Sequence, residues 1–128
     1  VLTLHYTVNA NGKLFNDCFN DIRPSQEFYH PGAEAQIIYK SMNMGIGKII
    51  AVRTFPFSKI SDLLSYLNIG HHAAYQAEML KRYNHGSVTP DFKLDQLVIA
   101  YTQRNYEVQS ELLTEWWKSK TPADHENA

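Results

Sequence analysis

The sequence predicts an α+β fold, with a small antiparallel sheet from a β-rich first half packed against three helices in the second half. Two observations carry that expectation. From Leu2 to Val8, and again in short β-rich runs as far as Phe55, apolar and polar residues give the patterns of half-buried strands. After Pro56 the spacing changes, and Ile60, Leu63, Leu64 and Leu67 fall on one stripe of a helix. A chain of 128 residues suits one hydrophobic core.

Each element follows from its local chemistry. Leu2, Leu4, Tyr6 and Val8 alternate with Thr3, His5 and Thr7 in a first strand. Asn9-Ala10-Asn11-Gly12 supplies turn residues, with Asn11-Gly12 suited to positive φ. Lys13 to Phe19 resumes extended structure, so the chain is expected to open with a hairpin. Residues 20–34, with Pro24, Pro31 and Gly32, read as a loop. Gln36 to Ser41 is the next strand, and Gly45 and Gly47 turn the chain into Ile49–Phe55. Ser58 or Ser61 is placed to cap the first helix. Asn68 and Gly70 interrupt it, and His71 to Tyr83 resumes helical spacing through Ala73, Ala77 and Leu80. Asn84-His85-Gly86 stops that helix, and Leu97 to Tyr101 is a short apolar strand. Val108, Leu112, Leu113 and Trp116 mark an amphipathic terminal helix. Residues 1–120 thus read as a single domain, and 121–128 as a polar C-terminal tail.

Composition narrows the function. Hydrophobic residues make up 44% and charged residues 20% of the chain, the balance of an ordinary globular protein. No apolar run approaches the ~20 residues that span a bilayer, and no signal-peptide pattern opens the chain. The single Cys18 rules out an internal disulfide and a cysteine-rich zinc site. A cytoplasmic setting without membrane partners is therefore expected. Twelve basic and thirteen acidic residues leave a net charge of −1, so a nucleic-acid reader would need a local basic patch. Gly45-Ile46-Gly47 lacks the third glycine of a phosphate-binding loop. His71 and His72 are adjacent, hence ~100° apart on a helix and poorly set for one metal. His5, His30, His85 and His125 are scattered, and no metal or cofactor is expected.

Residues 2–56 resemble the FKBP family of prolyl isomerases, including its SlyD-like members. The shared features are Tyr6-Thr7, Gly12, Phe15 three residues later, the stretch FNDCFND, Phe28, Gly32, Ile37 five residues on, and MGIGK at 44–48. The resemblance implies a pocket lined by Tyr6, Phe15, Phe28 and Ile37. Such a pocket favours the twisted form of an X–Pro bond, whose rotation barrier is ~20 kcal/mol.

From residue 36 the order strand, strand, helix, helix, strand, helix resembles the GIY-YIG nucleases. QIIYK is similar to the first motif strand, with Tyr39 as its tyrosine, and KIIAVRT to the second. Glu111 stands where the family's metal-binding glutamate does. That resemblance implies a tyrosine that activates water beside a carboxylate-held divalent cation.

Two further features bear on partners. The helix pair 58–83 has the outline of a helix-turn-helix, with Lys81 and Arg82 available to phosphates, though two packed core helices would use the same small residues. Trp116 and Trp117 are neighbours, so one is expected at a boundary or partner surface, and a homodimer is one simple outcome.

The function expected from these features is a non-catalytic or weakly catalytic module that binds a protein or peptide on aromatic surface. Its site residues are Tyr6, Phe15, Phe28, Ile37, Trp116 and Trp117. The alternative is a nucleic-acid-binding protein using Arg53, Lys59, Lys81 and Arg82, or a degenerate nuclease scaffold carrying Tyr39 and Glu111. Any catalysis would be weak prolyl isomerisation or metal-dependent nuclease activity.

Overall fold

The computed structural model describes residues 2–83 and 88–120. They contain five strands: β1 (Leu2–Tyr6), β2 (Cys18–Pro24), β3 (Glu34–Tyr39), β4 (Met42–Pro56) and β5 (Lys93–Arg104). Three α-helices accompany them: α1 (Asp62–Ile69), α2 (Ala73–Tyr83) and α3 (Tyr106–Lys120). The α+β class read from the sequence is the observed one. The strands form one sheet in the order β1-β3-β4-β5-β2. The β1–β3 pair is parallel and the other three pairs are antiparallel.

That order overturns the opening hairpin. β1 and β2 are not neighbours in the sheet, and residues Ala10–Phe15 between them form a 3-10 turn. Asn11 and Gly12 do take positive φ, 55° and 67°, but inside this turn and not at a hairpin tip. The Asn9 side chain fixes the arrangement by accepting the Leu14 N–H at 2.8 Å. Leu14 is then fully buried in the main core.

The span 20–34, expected as a loop, begins with strand residues. Cys18–Pro24 pairs with β5 along its whole length. Asp21 and Arg23 hid the strand from the sequence, because the charges break its apolar alternation. Gly45 and Gly47, read as a turn, lie within the long strand β4. Their missing side chains admit β5: a Cβ on Gly45 would meet the Gln103 carbonyl oxygen at 2.2 Å. The reversal falls instead at Lys40-Ser41, with φ of 49° and 68°.

The helices begin slightly later than their sequence signals. Ser61 caps α1 by accepting the Leu64 N–H at 3.2 Å, and Gly70, at φ 76°, ends it in the left-handed region. α2 begins at Ala73 and not His71. The expected stop at Asn84-His85-Gly86 and the tail 121–128 lie outside the described residues. No helix among those described is long and apolar enough to cross a membrane.

The main core comprises Leu4, Leu14, Ile37, Met44, Ile49, Leu97 and Ile99, with Val108 and Leu112 of α3 packed on it. A smaller cluster of Ile22, Phe55 and Leu94 receives Leu64 of α1 and Leu80 of α2. α1 buries only part of its apolar stripe, with Leu64 and the preceding Ile60 packed inward. Leu63 and Leu67 are 70% and 53% exposed, whereas Ser65 and Asn68 are buried. A helix that turns polar residues inward must find partners for them. Asn68 finds its partner in Lys13, at the candidate site, whereas the Ser65 hydroxyl is buried without one among the described residues.

Candidate functional site

β1 and β2 stand at opposite ends of the strand order, yet they approach each other. The Tyr6 hydroxyl donates to Asp21 Oδ2 at 2.7 Å, and Arg23 Nη2 donates to the His5 carbonyl at 3.0 Å. The sheet therefore curls towards closure, and side chains rather than a strand ladder bridge the gap. α1 and α2 flank this seam and leave a cleft of about 380 Å³, a volume within the range of small-molecule sites.

Lys13 reaches the cleft from the 3-10 turn and is only 7% exposed. Its ammonium donates to the Asn20 carbonyl at 2.9 Å and to Asn68 Oδ1 at 2.8 Å. An ammonium carries three donors, so one remains for a further acceptor. Burial pulls the Lys13 pKa below the ordinary lysine value, and the Asp21 carboxylate only partly restores it.

The surrounding charges are tightly arranged. Asp21 also accepts from Arg23 Nε. Lys13 Nζ and Arg23 Cζ lie 5.9 and 4.9 Å from the Tyr6 ring centroid, so two cations share one aromatic ring. Burial, reinforced by Asp21, pushes the Tyr6 phenol well above its ordinary pKa and keeps it a donor. Burial acts against the Arg23 cation, but Asp21 and Tyr6 outweigh it and its pKa rises. Lys13 and Arg23 against Asp21 leave one net positive charge in this cluster.

The helices supply the opposite wall. Ile69, Met79 and Leu80 are its apolar part, and His71 stacks on Tyr75 with ring centroids 4.2 Å apart. Gln76 is 3% exposed, and its Oε1 lacks a hydrogen-bond partner among the described residues. An acceptor stranded in this way costs about 1–3 kcal/mol. It is a feature of a site more than of a stabilising core.

Of the candidate site residues named from the sequence, Tyr6 alone lines the seam cleft. Phe15 and Trp116 meet at a second, smaller cleft, together with Tyr39. Phe28 is half exposed and packs on Tyr29, while Ile37 is wholly buried in the core. Trp117 is 67% exposed on α3. Arg53, Lys59, Lys81 and Arg82 are exposed, and none of them lines either cleft. Glu111 is exposed on α3 outside the cleft that contains Tyr39. Among the described residues no three His, Cys, Asp or Glu side chains converge as a metal site.

Sequence reasoning missed Lys13, Asp21, Asn68 and Gln76. The available signal was the polar pair Ser65 and Asn68, three residues apart on α1, which only topology shows to face inward.

No family model matches the chain, and no curated protein matches it. Among solved structures it is similar to protein EF3133 from Enterococcus faecalis V583, described by the family model DUF984. The two share 14% identity over 86% of this chain and 81% of that one, with a TM-score of 0.65. At that identity the likeness concerns the fold.

Proposed function

We propose that the chain is a binding domain that takes a small polar ligand in the seam cleft, with Lys13 at its floor. The observation that carries this reading is a buried lysine held by two neutral acceptors and not by a direct ion pair. A lysine in that setting costs folding free energy that an apolar residue of similar volume would not. Its remaining donor, beside the Arg23–Asp21 pair, favours a ligand with a carbonyl or anionic oxygen. The stranded Gln76 acceptor favours a donor on the same ligand, and Tyr75 and Met79 offer a flat apolar wall. Of the aromatic residues expected from the sequence to bind, Tyr6 alone belongs to this cleft, where Tyr75, which the sequence did not single out, joins it.

A chemical role for the Lys13 amine is a second reading, favoured by its lowered pKa. A lysine that loses its proton more readily presents a larger fraction of free amine, the form that acts as base or nucleophile, at a given pH.

A thermal-shift screen against small amides, carboxylates, phosphate monoesters and nucleosides tests the binding reading. At least one class is expected to raise the melting temperature of the wild type and leave Lys13→Met unmoved. Equal stabilisation of both proteins, or of neither, would count against it.

A further inference from the structure

The second cleft lies between the 3-10 turn, the Lys40-Ser41 reversal and α3, and encloses about 280 Å³. Its walls are aromatic. Phe15 and Trp116 meet edge to face with centroids 6.0 Å apart, and Tyr39 stands at the β3 end. Gly12 makes room for the tryptophan, since a Cβ there would come within 3.1 Å of Trp116 Cζ2.

The polar groups narrow the ligand further. Lys40 Nζ already lies 5.4 Å from the Tyr39 ring centroid, and Lys120 Nζ lies 5.8 Å from that of Trp116. Cations therefore occupy the ring faces, which disfavours a simple cationic guest. Glu115 lines the same cleft and disfavours a simple anion. Lys40 and Glu115 together complement a molecule that carries both charges. Asn9, only 9% exposed, also lines the cleft. Its Oδ1 accepts the Leu14 N–H, which fixes the amide orientation. Nδ2 is then a buried donor without a partner among the described residues. Any hydrogen-bond acceptor would satisfy it, and a carboxylate is one.

We propose that this cleft binds a free α-amino acid with an apolar or aromatic side chain. The carboxylate lies towards Lys40 and the Asn9 amide, the ammonium towards Glu115, and the side chain among Phe15, Trp116 and Leu112. The cleft is near the small end of ligand sites, which suits one amino acid better than a nucleotide. This assignment is independent of the seam cleft, and each stands if the other fails.

The test is a titration of the whole chain with L-phenylalanine, L-leucine and L-methionine, read on the Trp116 indole N–H resonance. At least one should saturate the shift. N-acetylphenylalanine and phenylalanine amide each lack one charge and should bind at least about threefold more weakly than phenylalanine. Glu115→Gln and Lys40→Asn, the latter tolerant of positive φ, should weaken binding similarly, with Glu111→Gln unchanged. All these positions are exposed, so folding is not at stake. The proposal is overturned if none of the three amino acids saturates. It is equally overturned if a derivative binds as tightly as its parent, which would indicate a peptide end, or if both charge variants bind like wild type.

Discussion

Tyr6 on β1 donates its hydroxyl to Asp21 on β2 at 2.7 Å, although the two strands lie at opposite edges of the sheet. This contact closes a seam that no backbone ladder closes, and it sets the floor geometry of the larger cleft. Tyr6→Phe leaves the buried Asp21 carboxylate to Arg23 and should cost about 1–3 kcal/mol. Urea unfolding measures this directly, and a change within a few tenths of a kcal/mol would show that the seam does not depend on the bond.

Asn68 is the helix-borne partner of the Lys13 ammonium. Asn68→Leu removes a buried acceptor and should lower stability by about 1–3 kcal/mol, while depressing the Lys13 pKa further. Combining it with Lys13→Met should recover part of the loss, because the stranded charge is then gone. A double variant as unstable as the sum of the two would refute that coupling.

Alkaline stability should fall, with Tyr101 as a contributor. Burial pushes its phenol up to about 12, against the opposing Arg104. A tyrosine whose folded pKa is raised contributes stability that is full below its unfolded pKa near 10 and lost as pH rises through the folded value. Tyr6 acts in the same direction. Lys13 acts oppositely, since its folded pKa is lowered and its burial cost is relieved as pH rises towards the unfolded value. Tyr101→Phe should flatten the decline between pH 10 and 12, at the cost of the Tyr101 bond to the Leu14 carbonyl. Denaturant midpoints measured across that range decide it.

Gly12→Ala should be costly although the residue lies in a turn. Its φ of +67° disfavours any side chain, and the new Cβ would press on the Trp116 ring at 3.1 Å. A loss of about 1–2 kcal/mol or more is expected, with a shifted Trp116 indole resonance. An unchanged resonance would mean that the turn, and not the ring, absorbs the substitution.

These contacts also explain what the sequence revealed and withheld. The helices and the α+β class were legible because Ser61, Gly70 and the change of period after Pro56 are local signals. The opening hairpin was a wrong inference from sound turn chemistry. Asn11-Gly12 takes the expected positive φ, but β1 pairs with β3, a partner distant along the chain that no local pattern encodes. Strand β2 was obscured by Asp21 and Arg23, the residues that make it part of the site. The inward face of α1 was misleading for the same reason. Its polar Ser65 and Asn68 look like a solvent face, yet both are buried, and Asn68 meets Lys13, 55 residues away along the chain. A cleft assembled from such distant positions has no sequence spacing to read.

The most direct test of the seam cleft is a ¹H–¹⁵N map of the ligand class that emerges from the thermal screen, recorded on wild type and on Lys13→Met. The account predicts shifts concentrated at Asn68, Tyr75, Gln76 and the turn around Lys13 in the wild type, and absent in the variant. Shifts centred elsewhere, or a map that survives the loss of the lysine, would contradict it.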